Sequence, residues 1–364
     1  MNNYYPVNDR TEVIAEDYKS YTARKKMIIL LLIMAIIFTG LYAIAFGSTQ
    51  LKMFQVFSAI MGKGDTTSQM VIWNIRLPRI MAGILAGAGL SVAACVMQNN
   101  LRNPLASPFT LGLSHAAIFG ATLAIIIFGA GTIQNAGSDS LVIQNPYLVA
   151  SSAFLWTMIA TSIILLLAKL RGVSPEAMVL AGMALSTLFE AGTSIVQYFA
   201  PDVRVAATIF WRIGDLGRAS WNEVVIMAVV VGLAIMYFLF RRWDYNALDS
   251  GEEPAKSLGV HVERIRLGGM FTASLVTAVV VSFLGIIGFI GLVGPHLTRR
   301  IIGGDHRFLI PASALAGALL LLVSDLVART IIAPLVLPVG TITAFMGTPL
   351  FLYLLVRGYG RKCS

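Results

Sequence analysis

RRWDYNALDSGEEPAKSLGVHVERIR, residues 241–266, is the stretch that decides how this chain is arranged. Ten of its residues are charged, in a protein in which only 12% of residues are charged, and long apolar runs flank it on both sides. Charges are expensive in hydrocarbon, so the segment must lie in water. Leu248, Ala255 and Leu258 among the acidic residues predict two short helices, which Gly259 can end. On these residues alone, the segment is either a surface on which a soluble partner acts or a solvated loop whose basic residues anchor lipid headgroups.

The composition of the whole chain places it among polytopic membrane proteins. Of its 364 residues 57% are hydrophobic, and the mean hydropathy is +0.78; soluble domains are much less apolar. The net charge is +9, but the Lys and Arg residues are spread over the ends of apolar runs instead of forming one patch. That distribution sets membrane orientation and does not indicate binding to nucleic acid.

The N-terminal segment and the two cysteines carry no processing or redox signal. Residues 1–26 are polar and lack the apolar core and cleavage site of a secretory signal peptide, so this tail is expected to stay attached. Cys95 lies in an apolar run and Cys363 is the penultimate residue. The pair therefore predicts neither a disulfide framework nor a prenylation site.

Ten apolar runs approach the length of about 20 residues that a helix needs to cross a bilayer. They cover residues 27–47, 80–97, 108–130, 147–170, 177–199, 224–240, 267–284, 286–302, 308–327 and 342–356. Basic residues precede the first run and follow the last, so both termini are expected in the cytoplasm, which requires an even number of crossings. We predict an all-α polytopic protein of the plasma membrane, with about ten transmembrane helices surrounded by membrane lipid.

The predicted organisation is a single transmembrane domain with short tails. The domain covers residues 27–357 and contains the cytoplasmic loop 241–266; the tails are residues 1–26 and 358–364, both cytoplasmic. One boundary stays open at this point, between residues 284 and 286. Residues 267–302 could form two helices, or one long helix and a re-entrant piece.

Motifs of known catalytic and cofactor sites are missing from the sequence. It contains no GxxxxGK[ST] phosphate loop, no HExxH, no paired CxxC and no GxSxG. No catalytic residue, metal site or cofactor is therefore predicted. If ATP drives this protein, a separate chain must bind the ATP.

Ionisable residues inside the apolar runs are scarce. Asp325 and Arg329 are four residues apart and can pair on one helix face, either as a structural ion pair or as part of a transport pathway. Glu190 has no partner within one helical turn, so it either becomes neutral or faces a wet cavity. We treat Glu190 as a pathway candidate.

A glycine-rich segment, residues 285–296, is unusual for hydrocarbon. Such a segment can bend and slide against its neighbours as a gate does, although close helix packing would also select glycine. The candidate gate residues are Gly288, Gly291, Gly294 and Pro295.

Several arginines fall at the outer ends of helices, against the usual orientation rule. Together they suggest a basic outer mouth that could receive an acidic partner or an anionic ligand. They are Arg76, Arg79, Arg204, Arg212, Arg218 and Arg329.

From about residue 76 onward, long motifs in a fixed order carry a family resemblance. They are RLPR at 76–79, NPLASPFTLGLSHAA from 103, GFIGLVGPHLTRRIIGGDHR from 288, PASALAGALLLLVSDLVAR from 311 and LPVGTITAFMGTPLFLYLL from 337. With these motifs the chain resembles the FecCD/BtuC-like permease subunits of ATP-binding-cassette (ABC) importers for iron chelates, haem and cobalamin. The resemblance implies the type II importer bundle of ten helices, a homodimer with the pathway at the subunit interface, two cytoplasmic ABC ATPase subunits and an extracytoplasmic solute-binding protein.

The same resemblance implies roles for particular residues. Arg76, Arg79 and Arg329 would receive acidic residues of the solute-binding protein. Relatives often have Trp-x-x-Gly-Ser-Leu where this chain has residues 211–216, and here Asp215 replaces the Ser. The loop would couple the permease to the ATPase through Asn246, Ala247, Leu248, Ser250, Gly251, Glu252, Ala255, Leu258, Gly259 and His261.

The expected function is alternating-access import of an iron chelate, driven by the separate ATPase. Haem and cobalamin are the alternatives within the family, because the residues that line an apolar channel for a large ligand do not identify that ligand. The alternative of another class is an ion-coupled secondary transporter, which Glu190 would permit. A copurifying ATPase would separate the two classes.

Overall fold

The structure is a computed structural model that describes residues 7–46, 58, 65–133, 141–143 and 145–359. The predicted tails lie partly outside this range. The helices are α1 (Val7–Ala45), α2 (Thr66–Asn100, with a π-helical turn at Ile72–Arg76), α3 (Leu113–Ile127), α4 (Pro146–Leu170), α5 (Pro175–Tyr198), α6 (Asp202–Arg212), α7 (Trp221–Phe240), α8 (Arg242–Asp249), α9 (Glu252–Ser257), α10 (Val262–Leu284), α11 (Ile290–Ile302), α12 (His306–Thr330) and α13 (Val339–Tyr359). Two short antiparallel strands, β1 (Gly131–Ile133) and β2 (Leu141–Ile143), join α3 to α4.

Each of the ten predicted runs corresponds to a helix of the described chain. Seven helices are long and apolar enough to cross a membrane: α1 from Tyr18, α2, α4, α5, α7, α10 and α12. Helix α3 is shorter but apolar, and the Val339–Tyr353 part of α13 is apolar as well. The prediction of an all-α polytopic bundle is confirmed.

The open boundary after residue 284 proves to be a break between two helices. Gly285, with a φ of +78°, ends α10, and Ile286 then forms a bridge with Ile213. Phe289 takes a left-handed conformation before α11 begins at Ile290. At 13 residues, α11 is about 20 Å long, too short to cross the hydrocarbon alone.

Helix α2 is the centre of the bundle, and it packs against α12, α10, α11 and α7. Every residue from Ala86 to Asn100 is buried. Small residues allow its close approach to α12, where Gly87 lies directly against the backbone at Gly317. This is how small residues bring membrane helices together where no hydrophobic effect drives them.

We predict that Gly87→Ala destabilises the bundle by about 1–3 kcal/mol, the range for overpacking a core. An added Cβ would lie 2.3 Å from the carbonyl oxygen of Gly317 and 2.8 Å from Cα of Ala318, both backbone atoms that cannot move aside. The matched control is Gly232→Ala in α7, where a Cβ meets nothing within 4 Å. The melting temperatures of the purified proteins in detergent give the comparison, and equal loss in both variants would contradict the packing role of Gly87.

Candidate functional site

The charged loop 241–266 folds into two short helices, as predicted. The first, α8, begins at Arg242. The aromatic side chain of Tyr245 is fully buried, and Leu248 follows it one turn later on the same face. Gly251, with a φ of +124°, separates α8 from α9, and Gly259, with a φ of +82°, follows α9. The two helices lie beside the end of α2 and the starts of α10 and α12, at the same end of the bundle as Tyr18 of α1.

Hydrogen bonds tie α8 to two transmembrane helices. At the end of α2, Asn99 Nδ2 donates to Asp249 Oδ1 at 2.6 Å. At the start of α12, Asn246 Oδ1 accepts from the backbone N of His306 at 2.7 Å, and Asn246 Nδ2 donates to Asp305 Oδ1 at 3.0 Å. A displacement of α8 must therefore pull on α2 and α12.

Arg307 adds α1 to the same network. Its guanidinium donates to Asp305 Oδ2 at 2.9 and 2.7 Å and to Asp305 Oδ1 at 3.1 Å. It also donates to the hydroxyl of Tyr18 at 3.0 Å and lies 4.7 Å from the ring of Trp243 in α8. Burial by itself would raise the pKa of Asp305, but the hydrogen bonds from Arg307 and Asn246 outweigh it and lower the pKa to about 2. The carboxylate that anchors α8 thus stays charged at physiological pH.

Arg266 anchors α9. Its buried guanidinium, in the first turns of α10, donates to Glu252 Oε1 at 2.6 Å, to the carbonyl oxygen of Asn100 at 3.0 Å and to that of Val173 at 2.6 Å. The hydrogen bond from Arg266 also lowers the pKa of Glu252. One side chain thereby joins α9, α10, the end of α2 and the turn between α4 and α5. The sequence showed Arg266 only as one more charge of the loop.

The predicted loop residues divide into an anchored side and an exposed side. Leu248 and Ala255 are buried, and Asn246, Ala247, Gly251 and Glu252 are partly buried. The outer side carries Ser250, Leu258, Gly259 and His261, and Leu258 is 72% exposed. A single exposed apolar side chain is common on protein surfaces, so the contact role of Leu258 stays a prediction.

Three of the outer arginines, Arg76, Arg79 and Arg329, lie close together, and a carboxylate links Arg79 to Arg329. Asp325 accepts from Arg79 Nε at 2.8 Å through Oδ1, and its Oδ2 lies 2.9 Å from Arg329 Nε. The predicted pair of Asp325 and Arg329 is therefore present, and Arg79 joins it. Arg79 also lies 3.5 Å from Asp215, the residue that departs from the family pattern.

The same arginines cap the outer end of α1. Arg76 donates to the carbonyl oxygens of Ile44 and Ala45, and Arg329 donates to that of Ala43 at 3.2 Å. Cations satisfy the free carbonyls at a helix C-terminus and complement its dipole. Arg76, Arg79 and Arg329 are at most 9% exposed and are bonded within the chain. Their docking to a binding protein stays a prediction.

The glycines of the candidate gate have different surroundings. A Cβ on Gly291 would lie 3.0 Å from Ala94, and one on Gly294 would lie 2.3 Å from Ser91 Oγ, so both let α11 pack against α2. A Cβ on Gly288 would meet nothing within 4 Å, and Pro295 is buried inside α11. Packing accounts for Gly291 and Gly294, and a gating role for the segment stays a prediction.

Glu190, the remaining candidate, lies on an exposed face of α5. In the part of the chain that the structure describes, no three His, Cys, Asp or Glu side chains are grouped as metal ligands.

Comparison with known proteins identifies the family. The model of the FecCD transport family matches residues 32–357, nearly the whole transmembrane bundle described above. The chain belongs to this family. A Methanocaldococcus jannaschii protein, named as an ABC transporter permease protein without a substrate, is 56% identical to this FecCD chain over 96% of it and 99% of the relative. The cobalamin import system permease protein BtuC of Halobacterium salinarum is 40% identical over 79% of this chain and 74% of the relative.

A solved structure agrees with the FecCD assignment. It is described as an inward-facing conformation of a metal-chelate type ABC transporter, and it superposes with a TM-score of 0.77 at 29% identity, covering 91% of this chain and 99% of that chain. The protein is therefore a multi-pass permease subunit of an ABC importer in the cytoplasmic membrane, and it is not itself a catalyst. The resemblance seen in the sequence motifs is confirmed.

Proposed function

We propose that this FecCD permease imports an iron chelate as a homodimer, powered by two ABC ATPase subunits that act on α8 and α9. The observation that carries the proposal is that the pair of helices α8 and α9 has one side bonded to the bundle and one side exposed. Its inner side is hydrogen-bonded to the ends of α2, α10 and α12, while Leu258 and its neighbours face water. This arrangement suits a part that receives a push from a soluble partner and passes it to the membrane helices.

The proposed mechanism is alternating access. ATP closes the two ATPase subunits, which shifts α8 and α9, and Asn246 and Arg266 transfer the shift to the helices that pack around α2. Coupling then follows from a difference in ATP affinity between the two permease states, so no residue of this chain has to titrate. The segment with Gly288 could absorb the bend between α10 and α11.

An iron chelate is the cargo that we favour, with haem and cobalamin as the alternatives. The solved relative covers 91% of this chain, and its description as metal-chelate type fits all three cargoes. We favour an iron chelate because that group dominates the family resemblance. The cobalamin permease covers 79% of this chain and supports cobalamin as the second.

We also propose that a solute-binding protein docks at the outer arginines. Arg79 is the best placed, because its pairing partner Asp215 is 38% exposed, so that an acidic residue of the docking protein could replace it. Arg76 and Arg329 would take part only if their bonds to the end of α1 opened.

The test of the proposed function is copurification of an ATPase. We expect Leu258→Asp to weaken binding of the ATPase subunit about tenfold or more, because truncation or charging of an exposed apolar anchor at the centre of a contact costs about 2 kcal/mol. Leu170→Asp is the matched control, since Leu170 is also on the cytoplasmic side and is 74% exposed, against 72% for Leu258. Complexes are purified from native membranes in mild detergent, and ATP hydrolysis and the copurified chain are measured.

Two results would overturn parts of this proposal. If no ATPase copurifies with the unaltered protein, ABC coupling fails for this chain and ion-coupled transport through Glu190 becomes the next hypothesis. If Leu258→Asp and Leu170→Asp retain the ATPase equally, the outer side of α9 is not the contact surface.

A further inference from the structure

Helix α5 carries a carboxylate on an exposed face at the depth of the hydrocarbon. The helix has 24 residues and is about 36 Å long, and Glu190 lies eight residues before its outer end at Tyr198. That places Glu190 about 12 Å from this end, inside a hydrocarbon layer of about 30 Å. Asp325 at similar depth is buried between two arginines, but none of the ion pairs among the described residues involves Glu190.

Glu190 belongs to a polar stripe. Thr187 and Ser194 precede and follow it by three and four residues, so the three side chains share one helix face, and all are exposed. The two hydroxyls donate to carbonyl oxygens of α5 itself, Thr187 to Met183 at 3.2 Å and Ser194 to Glu190 at 2.9 Å. The two hydroxyls therefore have hydrogen-bond partners in lipid as well as in water. Of the three side chains, only the carboxylate requires water.

Other exposed helix faces show what a lipid contact looks like in this protein. The exposed large side chains in the span of α1 are Leu30, Leu31, Ile33, Met34, Ile37, Phe38 and Leu41, and those in the span of α7 are Val225, Ile226, Val229, Leu233 and Met236. These faces are apolar throughout, as hydrocarbon requires. A charged carboxylate costs several kcal/mol in the same place. Helix α5 also exposes Leu180, Met183, Leu188 and Ile195, so its surface is mixed. Only the stripe with Glu190 requires water, which at this depth means the transport pathway.

We infer that Glu190 gives this pathway a negative potential, so that the cargo is a neutral or cationic metal chelate and not an anionic one. In the proposed homodimer the two-fold axis places two copies of Glu190 along one pathway. Charges in a narrow channel with low-dielectric walls act strongly on what passes, as charged rings do in ion channels. Polycarboxylate chelates and haem, with its two propionates, are disfavoured by this field. The inference rests on the proposed function in one respect, that the pathway runs between two copies.

Thiol labelling in native membranes tests the inference without knowledge of the cargo. Thr187→Cys is made in a chain with Cys363→Ser, while Cys95 stays because it is fully buried. The rates of modification by a cationic and an anionic methanethiosulfonate reagent are measured, each normalised to a small free thiol. We expect the cationic reagent to react about tenfold faster, and we expect Glu190→Gln to remove this preference, because a focused potential changes local ion concentration by about tenfold or more. Leu233→Cys on the apolar face of α7 is the control, which neither reagent should modify.

Two outcomes would overturn the inference. If neither reagent modifies the Thr187→Cys variant, this face of α5 lies in lipid or in a dry interface. If both reagents react with a ratio that Glu190→Gln leaves unchanged, Glu190 exerts no field on the pathway. Neither outcome depends on copurification of the ATPase, so failure of the charge inference and failure of the ABC mechanism are separate results.

Discussion

Arg266→Gln is expected to abolish transport while the ATPase subunits continue to hydrolyse ATP. The substitution removes a guanidinium that makes three hydrogen bonds of 2.6 to 3.0 Å in a site that is 3% exposed. It leaves Glu252 and two carbonyl oxygens without this donor, at a cost of about 2–5 kcal/mol. Because α9 then loses its hydrogen-bonded link to α2 and α10, we expect the push of the ATPase to reach the bundle no longer.

The measurement is a comparison of uptake and ATP hydrolysis in reconstituted complexes. Arg264→Gln is the matched control, because Arg264 is an exposed arginine two residues away, and it should behave like the unaltered protein. Normal uptake with Arg266→Gln would show that motion passes by another route, such as Asn246. Loss of the ATPase from the complex would show that Arg266 holds the contact surface together instead of transmitting its motion.

The membrane helices were predictable from the sequence because their cause is local. A run of apolar residues such as 224–240 must become a helix in hydrocarbon, where each backbone group needs a partner within its own segment. The loop 241–266 was predictable for the opposite reason, since its charges exclude it from hydrocarbon. The end of α10 at Gly285 was not predictable in this way, because it depends on the contact of Ile286 with the distant residue Ile213.

The anchors of the site were not predictable, because their partners are distant in the chain. Arg266 bonds to carbonyl oxygens 166 and 93 residues away, and backbone carbonyls leave no trace in the sequence. The outer arginines show the same limit. Their outer position follows from the order of the helices, but the bonds of Arg329 to the end of α1 span more than 280 residues. Glu190 was found early because an unpaired acid in an apolar run is rare in itself.

Asp325→Asn is expected to destabilise the folded protein by about 3–5 kcal/mol, the cost of breaking a buried ion pair by removing one partner. Asp325 is 1% exposed and neutralises both Arg79 and Arg329, whose side chains are 11% and 5% exposed. Without the carboxylate, two guanidinium groups lie side by side with no anion between them. The arginines would then pull away from the carbonyl groups at the end of α1. The fraction of monodisperse protein that survives heating in detergent measures the loss.

Asp215→Asn is the matched control for this prediction, and the comparison also bears on docking. The contact of Asp215 with Arg79 is longer, at 3.5 Å, and its side chain is 38% exposed, so its loss should cost less than about 1 kcal/mol. If Asp325→Asn is as stable as Asp215→Asn, the arginines do not depend on Asp325 and can turn outward to a binding protein. If only Asp325→Asn is unstable, Arg79 and Arg329 hold the outer end of the bundle together. In that case, loss of uptake in a variant of Arg79 or Arg329 shows a docking defect only if the variant protein is still folded and assembled.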